Sequence, residues 1–173
     1  MSDVSSPVLG LSRLLLRILV ALNLAMGALM ILGFAATFVF EDGLSRVLRA
    51  WLRGVNLALL LPTVRVWLLL ALPGVAAIHL LFVRTLDILR AVRLGHPFEA
   101  ENAARLRTMA WCLLVVQLLQ LANGVMSRIA TIAHARINWE PSLVGWLAVL
   151  LLFVLAGVFD AGARMRSELE AMI

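Results

Sequence analysis

Four long apolar runs divide this chain, and they constrain its fold more than any other feature. They cover residues 14–40, 66–89, 106–129 and 143–163, each boundary approximate. About 20 apolar residues in a helix cross the ~30 Å hydrocarbon core of a bilayer. Inside lipid a backbone must satisfy its own hydrogen bonds, so each run is expected to be a helix. The fold class that follows is all-α: an integral membrane four-helix bundle, one domain over residues 1–173. Composition agrees, with 63% hydrophobic residues against roughly 45–50% in soluble domains. The first run is too long for a signal-peptide core and carries no convincing cleavage site, so it reads as a retained anchor.

The net charge is +5, and all 15 basic residues are arginine. Without lysine, Schiff-base catalysis and a P-loop are excluded. In a soluble protein this charge would suggest nucleic acid. Here the arginines gather at the ends of apolar runs, which points to interface anchoring and to the lipid bilayer as partner, with no direct nucleic-acid contact. Four spans put both termini and the loop between the second and third runs on one side. That side holds nine arginines (13, 17, 84, 90, 93, 105, 107, 164, 166) and the other six (46, 49, 53, 65, 128, 136). The positive-inside rule then places both termini in the cytoplasm.

Between the first two runs, "LSRVLRAWLRGVNLALL" sets Arg46, Arg49, Arg53 and Asn56 on one helical face and Leu44, Val47, Leu48, Trp51 and Val55 on the other. That pattern predicts an additional amphipathic helix over residues 44–61, lying in the outer interface and stopping before Pro62. Pro73-Gly74 is expected to kink or loosen the second span.

Polar residues inside the spans are the candidate ligand-binding set. Asn23 lies in the first run, His79 near the middle of the second, and Gln117 and Gln120 in the third. Gln117, Gln120, Gly124 and Ser127 follow i, i+3, i+7, i+10, which puts them on one face. Such groups usually face a bundle interior. Interhelical hydrogen bonding accounts for them at about 0.6–2 kcal/mol per contact; a polar cavity for a small ligand, or a transport path, is the sharper alternative. His96 and His134 fall in loops on opposite sides, so a bis-histidine haem is not expected, and no other cofactor is implied. Cys112 is the single cysteine, and no zinc-type spacing occurs, so no metal site is expected. Neither is an enzyme: no nucleophile, base and orienting group converge in any recognisable context.

At the inner boundary, Arg84 and Asp87 end the second span, and Asp160 and Arg164 end the fourth in an i, i+4 acid-before-base pair. They are expected to neutralise one another and fix depth. No acidic residue lies deep in a span, which argues against a proton-coupled pump. The loop "GHPFEAENAARLR" (residues 95–107) is a polar island between two apolar runs. Gly95 and Pro97 end one helix, Phe98 suits an interface anchor, and Glu99 and Glu101 oppose the positive end of the next helix. A turn and a helix start would account for it. Its density of polar groups also suits a docking surface, with Pro97, Phe98, Glu99, Glu101, Asn102 and Arg105 as the partner-binding residues.

The stretch "LGHPFEAENAARLRTMAW" resembles the "G-x-PF-S-x-EN-x-x-R-L" block of a bacterial membrane family, domain of unknown function 2975. The ending "VFDAGARMRSELEAMI" resembles that family's closing block, usually like "VFREG-x-x-L-x-x-E-LEGTI". Gly95, Pro97, Phe98, Glu101, Asn102, Arg105, Leu106, Gly162, Leu169 and Glu170 carry the match. Glu99 stands where the family often has a serine cap, and "EAMI" replaces "EGTI". The resemblance implies a four-span bacterial inner-membrane protein. It also implies a sensor or regulator working through a cytoplasmic partner such as a small helix-turn-helix transcription factor. It supplies no catalytic or ligand-binding residue. A homo-oligomer is a further expected partner state.

Overall fold

The computed structural model describes residues 7–43, 46–47, 57–94, 100–132 and 142–171. Four long helices account for nearly all of them: α1 (Pro7–Val39), α2 (Leu57–Arg93), α3 (Ala100–Ile132) and α4 (Leu143–Ala171). Among the described residues there is no strand. The cause lies in the uncharged stretches. Residues 18–40, 66–83, 108–127 and 141–159 each lie between charged residues. At 1.5 Å per residue they are about 25–35 Å long, which is the thickness of a hydrocarbon core. All four helices are long and apolar enough to cross a membrane. They contain 33, 37, 33 and 29 residues, or about 43–55 Å, so their ends must project from the apolar layer.

Helices pack in chain order: α1 on α2, α2 on α3, α3 on α4. Among the described residues no other pair of these helices brings its backbones close, α1 and α4 included. Neighbours run antiparallel. The basal end therefore gathers the start of α1, the end of α2, the start of α3 and the end of α4. Leu106, Met109 and Ala156 form a small core in the basal half, with Leu81, Ile88, Leu152 and Phe159 packed against it. Ala103, Ala110 and Ala156 are almost wholly buried. Small residues there let backbones approach, and close approach replaces the hydrophobic driving force that lipid tails do not supply.

Polar side chains fix the α1·α2 seam. Asn23 donates its amide N–H to the Val75 carbonyl at 3.0 Å. One turn on, Gly27 leaves room for the Val75 side chain, whose Cγ1 would stand 3.0 Å from any Cβ at that position. At the distal end Arg65 reaches from α2 to the last turn of α1. It donates to the Thr37 carbonyl at 2.7 Å and to Glu41 at 2.9 Å, and its guanidinium lies 4.1 Å from the Phe38 ring centroid. Phe34 meets Phe38 edge-on at 5.2 Å.

Two sequence expectations need correction. The helix expected over residues 44–61 was to stop before Pro62. Instead 57–61 open α2, which runs through both Pro62 and Pro73. Pro62 sits in the second turn, where only the bond to the residue 58 carbonyl is lost. Of 44–56, only Arg46 and Val47 are described, both helical; the rest of the amphipathic pattern lies outside the described residues. The span boundaries also lengthen, because the helices continue past their apolar parts.

Candidate functional site

The basal end is the charged end. There α2 carries Arg84, Asp87 and Arg90, one turn apart. Asp87 accepts from Arg84 Nη1 and lies against Arg90 Nη1, both at 3.5 Å. On α4, Asp160 pairs with Arg164 at 2.9 Å. The four residues expected to form one boundary network thus form two pairs, each within its own helix, and no ion pair joins Arg84 or Asp87 to Asp160 or Arg164. The cause is local: i, i+3 and i, i+4 neighbours already stand within reach. On the α1 side of α2, Arg13 lies within electrostatic range of Arg17, Arg90 and Arg93. The Nε of Arg13 is buried without a hydrogen-bond partner among the described residues. This rim is strongly basic.

Between α2 and α3 lies an open cleft of about 250 Å³, lined by Arg84, Glu101, Ala104, Arg105 and Thr108. The first turns of α3 build it. Glu101 and Arg105 stand at i, i+4 and pair at 2.6 Å. Arg105 also donates from Nη1 to Asn102 Oδ1 at 2.7 Å. Thr108 donates its hydroxyl back to the Ala104 carbonyl. Ala104 is too small to fill the space between them. Arg84 enters from α2, with its Nε buried and unpartnered among the described residues. The cleft therefore offers two guanidinium groups and one tethered carboxylate.

The residues expected to dock a partner separate here. Pro97, Phe98 and Glu99 lie outside the described residues. Glu101 is 73% exposed and Arg105 22% exposed at the side chain. Asn102 is wholly buried at 0% and is the largest fully buried side chain among the described residues. It was expected on the exposed surface. It instead heads the buried stripe Asn102, Ala103, Leu106, Met109 and Ala110, whose helical spacing points it inward.

The polar residues within the spans also separate. Asn23 bonds α2 backbone. His79 is half-buried on α2, its Nδ1 without a partner among the described residues. Gln117 is buried at 5%, and its side-chain amide packs against Gly145 of α4. Gln120 is exposed, although Gly124 and Ser127 of the same expected face are buried. None of the four lines the basal cleft. The Arg65 clasp was not anticipated; Thr37 and Glu41 at i, i+4, ending an apolar run, were its only local sign.

Four helices of this length and polarity, charged at their ends, define a multi-pass membrane protein of the all-α class. The chain belongs to the family of proteins of unknown function DUF2975, whose model matches residues 50–173. That match takes in α2, α3 and α4, with the basal cleft between the first two. No curated protein and no solved structure matches the chain.

Proposed function

We propose that the protein is a non-enzymatic signalling or regulatory protein of a bacterial inner membrane, with both termini in the cytoplasm. It acts through a cytoplasmic partner, and a small helix-turn-helix transcription factor is the partner class that the family resemblance implies. The observation that carries this reading is the projecting basal end. Beyond the uncharged stretches, α2 continues from Arg84 to Arg93 and α4 from Asp160 to Ala171, or about 15–18 Å of helix past the apolar layer. With the first turns of α3 they present exposed charge of both signs, including Glu101 and Arg164. Such a surface suits electrostatic recognition of a partner.

The orientation is tested by reporter fusions after Ile173. A cytoplasmic reporter is expected to be active there and a periplasmic one silent; the reverse result places the basal end outside and removes the partner reading. The partner is tested by expressing the chain together with the helix-turn-helix regulators of its own genome. One regulator is expected to move to the membrane fraction when the chain is present. Reversing exposed basal charges, with Glu101→Arg and Arg164→Glu together, should return it to the soluble fraction while the level of the chain holds. Regulators that stay soluble with and without the chain would reject the reading.

A further inference from the structure

We propose that the cleft between α2 and α3 binds a phosphate-type anion, supplied by the headgroup of an anionic phospholipid in the basal leaflet, and that Glu101 is the internal anion this headgroup displaces.

Position is the first support. Residues 66–83 of α2 carry no formal charge and span about 27 Å, so Arg84 stands where a bilayer's phosphates begin. On α3 the uncharged stretch starts at Thr108, which brings Arg105 to the same boundary. A soluble anion would have to reach a cleft at this depth, whereas lipid phosphates are already there at high local concentration. Donor chemistry is the second support. The cleft has two guanidinium groups, which match phosphate oxygens in geometry and charge. Arg84 Nε is a buried donor without a partner among the described residues, and its contact to Asp87 is long at 3.5 Å. Buried donors normally find an acceptor.

Glu101 is the third support. Its carboxylate already sits on Arg105 Nη2 at 2.6 Å, yet 73% of the side chain is exposed. It is a tethered anion on a site that accepts anions, and solvent is open to it when it leaves. A phosphate entering beside Ala104 takes its place on Arg105, and like-charge repulsion drives the carboxylate outward. Asn102 keeps Arg105 oriented throughout through Nη1. The surrounding field favours this ligand, since Arg13 lies within electrostatic range of Arg17, Arg90 and Arg93 on the α1 side of α2 and basic rims between membrane helices attract anionic headgroups.

Binding is measured on the purified full chain in an uncharged maltoside detergent. The probes are dioctanoyl phosphatidylglycerol, dioctanoylglycerol without phosphate, and inorganic phosphate. Phosphatidylglycerol is expected to bind and dioctanoylglycerol not to. Arg84→Gln should weaken binding about tenfold or more, the scale of one lost charge-assisted pair. Ala104→Leu, which fills the cleft and leaves every charge, should weaken it as much. Glu101→Gln should tighten it about threefold or more by removing the internal competitor. Inorganic phosphate at millimolar concentration should not compete; equal competition would overturn the lipid source in favour of a free anion. Unchanged affinity in both Arg84→Gln and Ala104→Leu, or weaker binding in Glu101→Gln, would overturn the site. No partner protein takes part, so this inference and the partner reading fail separately.

Discussion

Asn102→Ala is expected to lower stability by about 2–4 kcal/mol, while Glu101→Ala, one residue away, should cost about 0.5 kcal/mol or less. The difference follows from burial. Asn102 is wholly buried, and its Oδ1 accepts from the Arg105 guanidinium at 2.7 Å. A hydrogen bond to a charged group contributes roughly 1.5–3 kcal/mol, and the partner left behind adds its own desolvation cost. The truncation also opens a cavity between packed helices. Glu101 loses only an exposed i, i+4 pair, worth a few tenths of a kcal/mol in solvent. The measurement is thermal unfolding of each variant in detergent, with accumulation in the membrane fraction as a second readout. Equal midpoints for the two variants would show that the buried position is not structural. A pronounced drop for Asn102→Ala assigns to architecture a residue that a surface reading of the loop gives to partner binding.

The four membrane helices were legible because charge is so nearly absent between residues 18 and 40, 66 and 83, 108 and 127, and 141 and 159. No other backbone satisfies itself in lipid over such lengths. What the residues did not show is how those helices meet. The Arg65 clasp joins positions 28 residues apart, and only the antiparallel α1·α2 seam brings them together. Pro62 misleads for a different reason: a proline this close to a helix start removes a single backbone bond, and the apolar stretch that follows it holds the helix. The burial of Asn102 could have been read. Carrying the spacing of Ala110, Met109 and Leu106 back by one turn reaches Ala103 and Asn102, inside the core stripe rather than on the loop. The cleft was half legible. Glu101 and Arg105 stand at pairing distance in any helix, but Arg84 joins them only once α2 and α3 are side by side.

Gly145→Ala is expected to destabilise the native chain by up to about 2 kcal/mol and to become neutral or stabilising when Gln117 is also alanine. Gly145 sits in the first turn of α4, capped by Ser142, whose Oγ accepts its N–H at 3.2 Å. The side-chain amide of Gln117 lies directly over its α-carbon, so a methyl group there collides with Nε2 and comes within 2.5 Å of the amide carbon. Two effects oppose each other. Alanine in a helix is favoured over glycine by about 0.8–1.0 kcal/mol. Overpacking a buried contact costs about 1–3 kcal/mol. Gln117 is buried, so its amide cannot simply swing into solvent, and the collision should win. Removing the amide takes away the collision and leaves the helix-forming gain. Gln117→Ala alone should cost less than its burial suggests, because the amide makes no hydrogen bond with a described residue. The sign reversal is the diagnostic: a double-mutant cycle on thermal unfolding in detergent should give a coupling of about 1–3 kcal/mol between positions in direct contact. Additive effects would mean that α3 and α4 are not packed at this point, and the α3·α4 register set by Gln117 and Gly145 would fall with it.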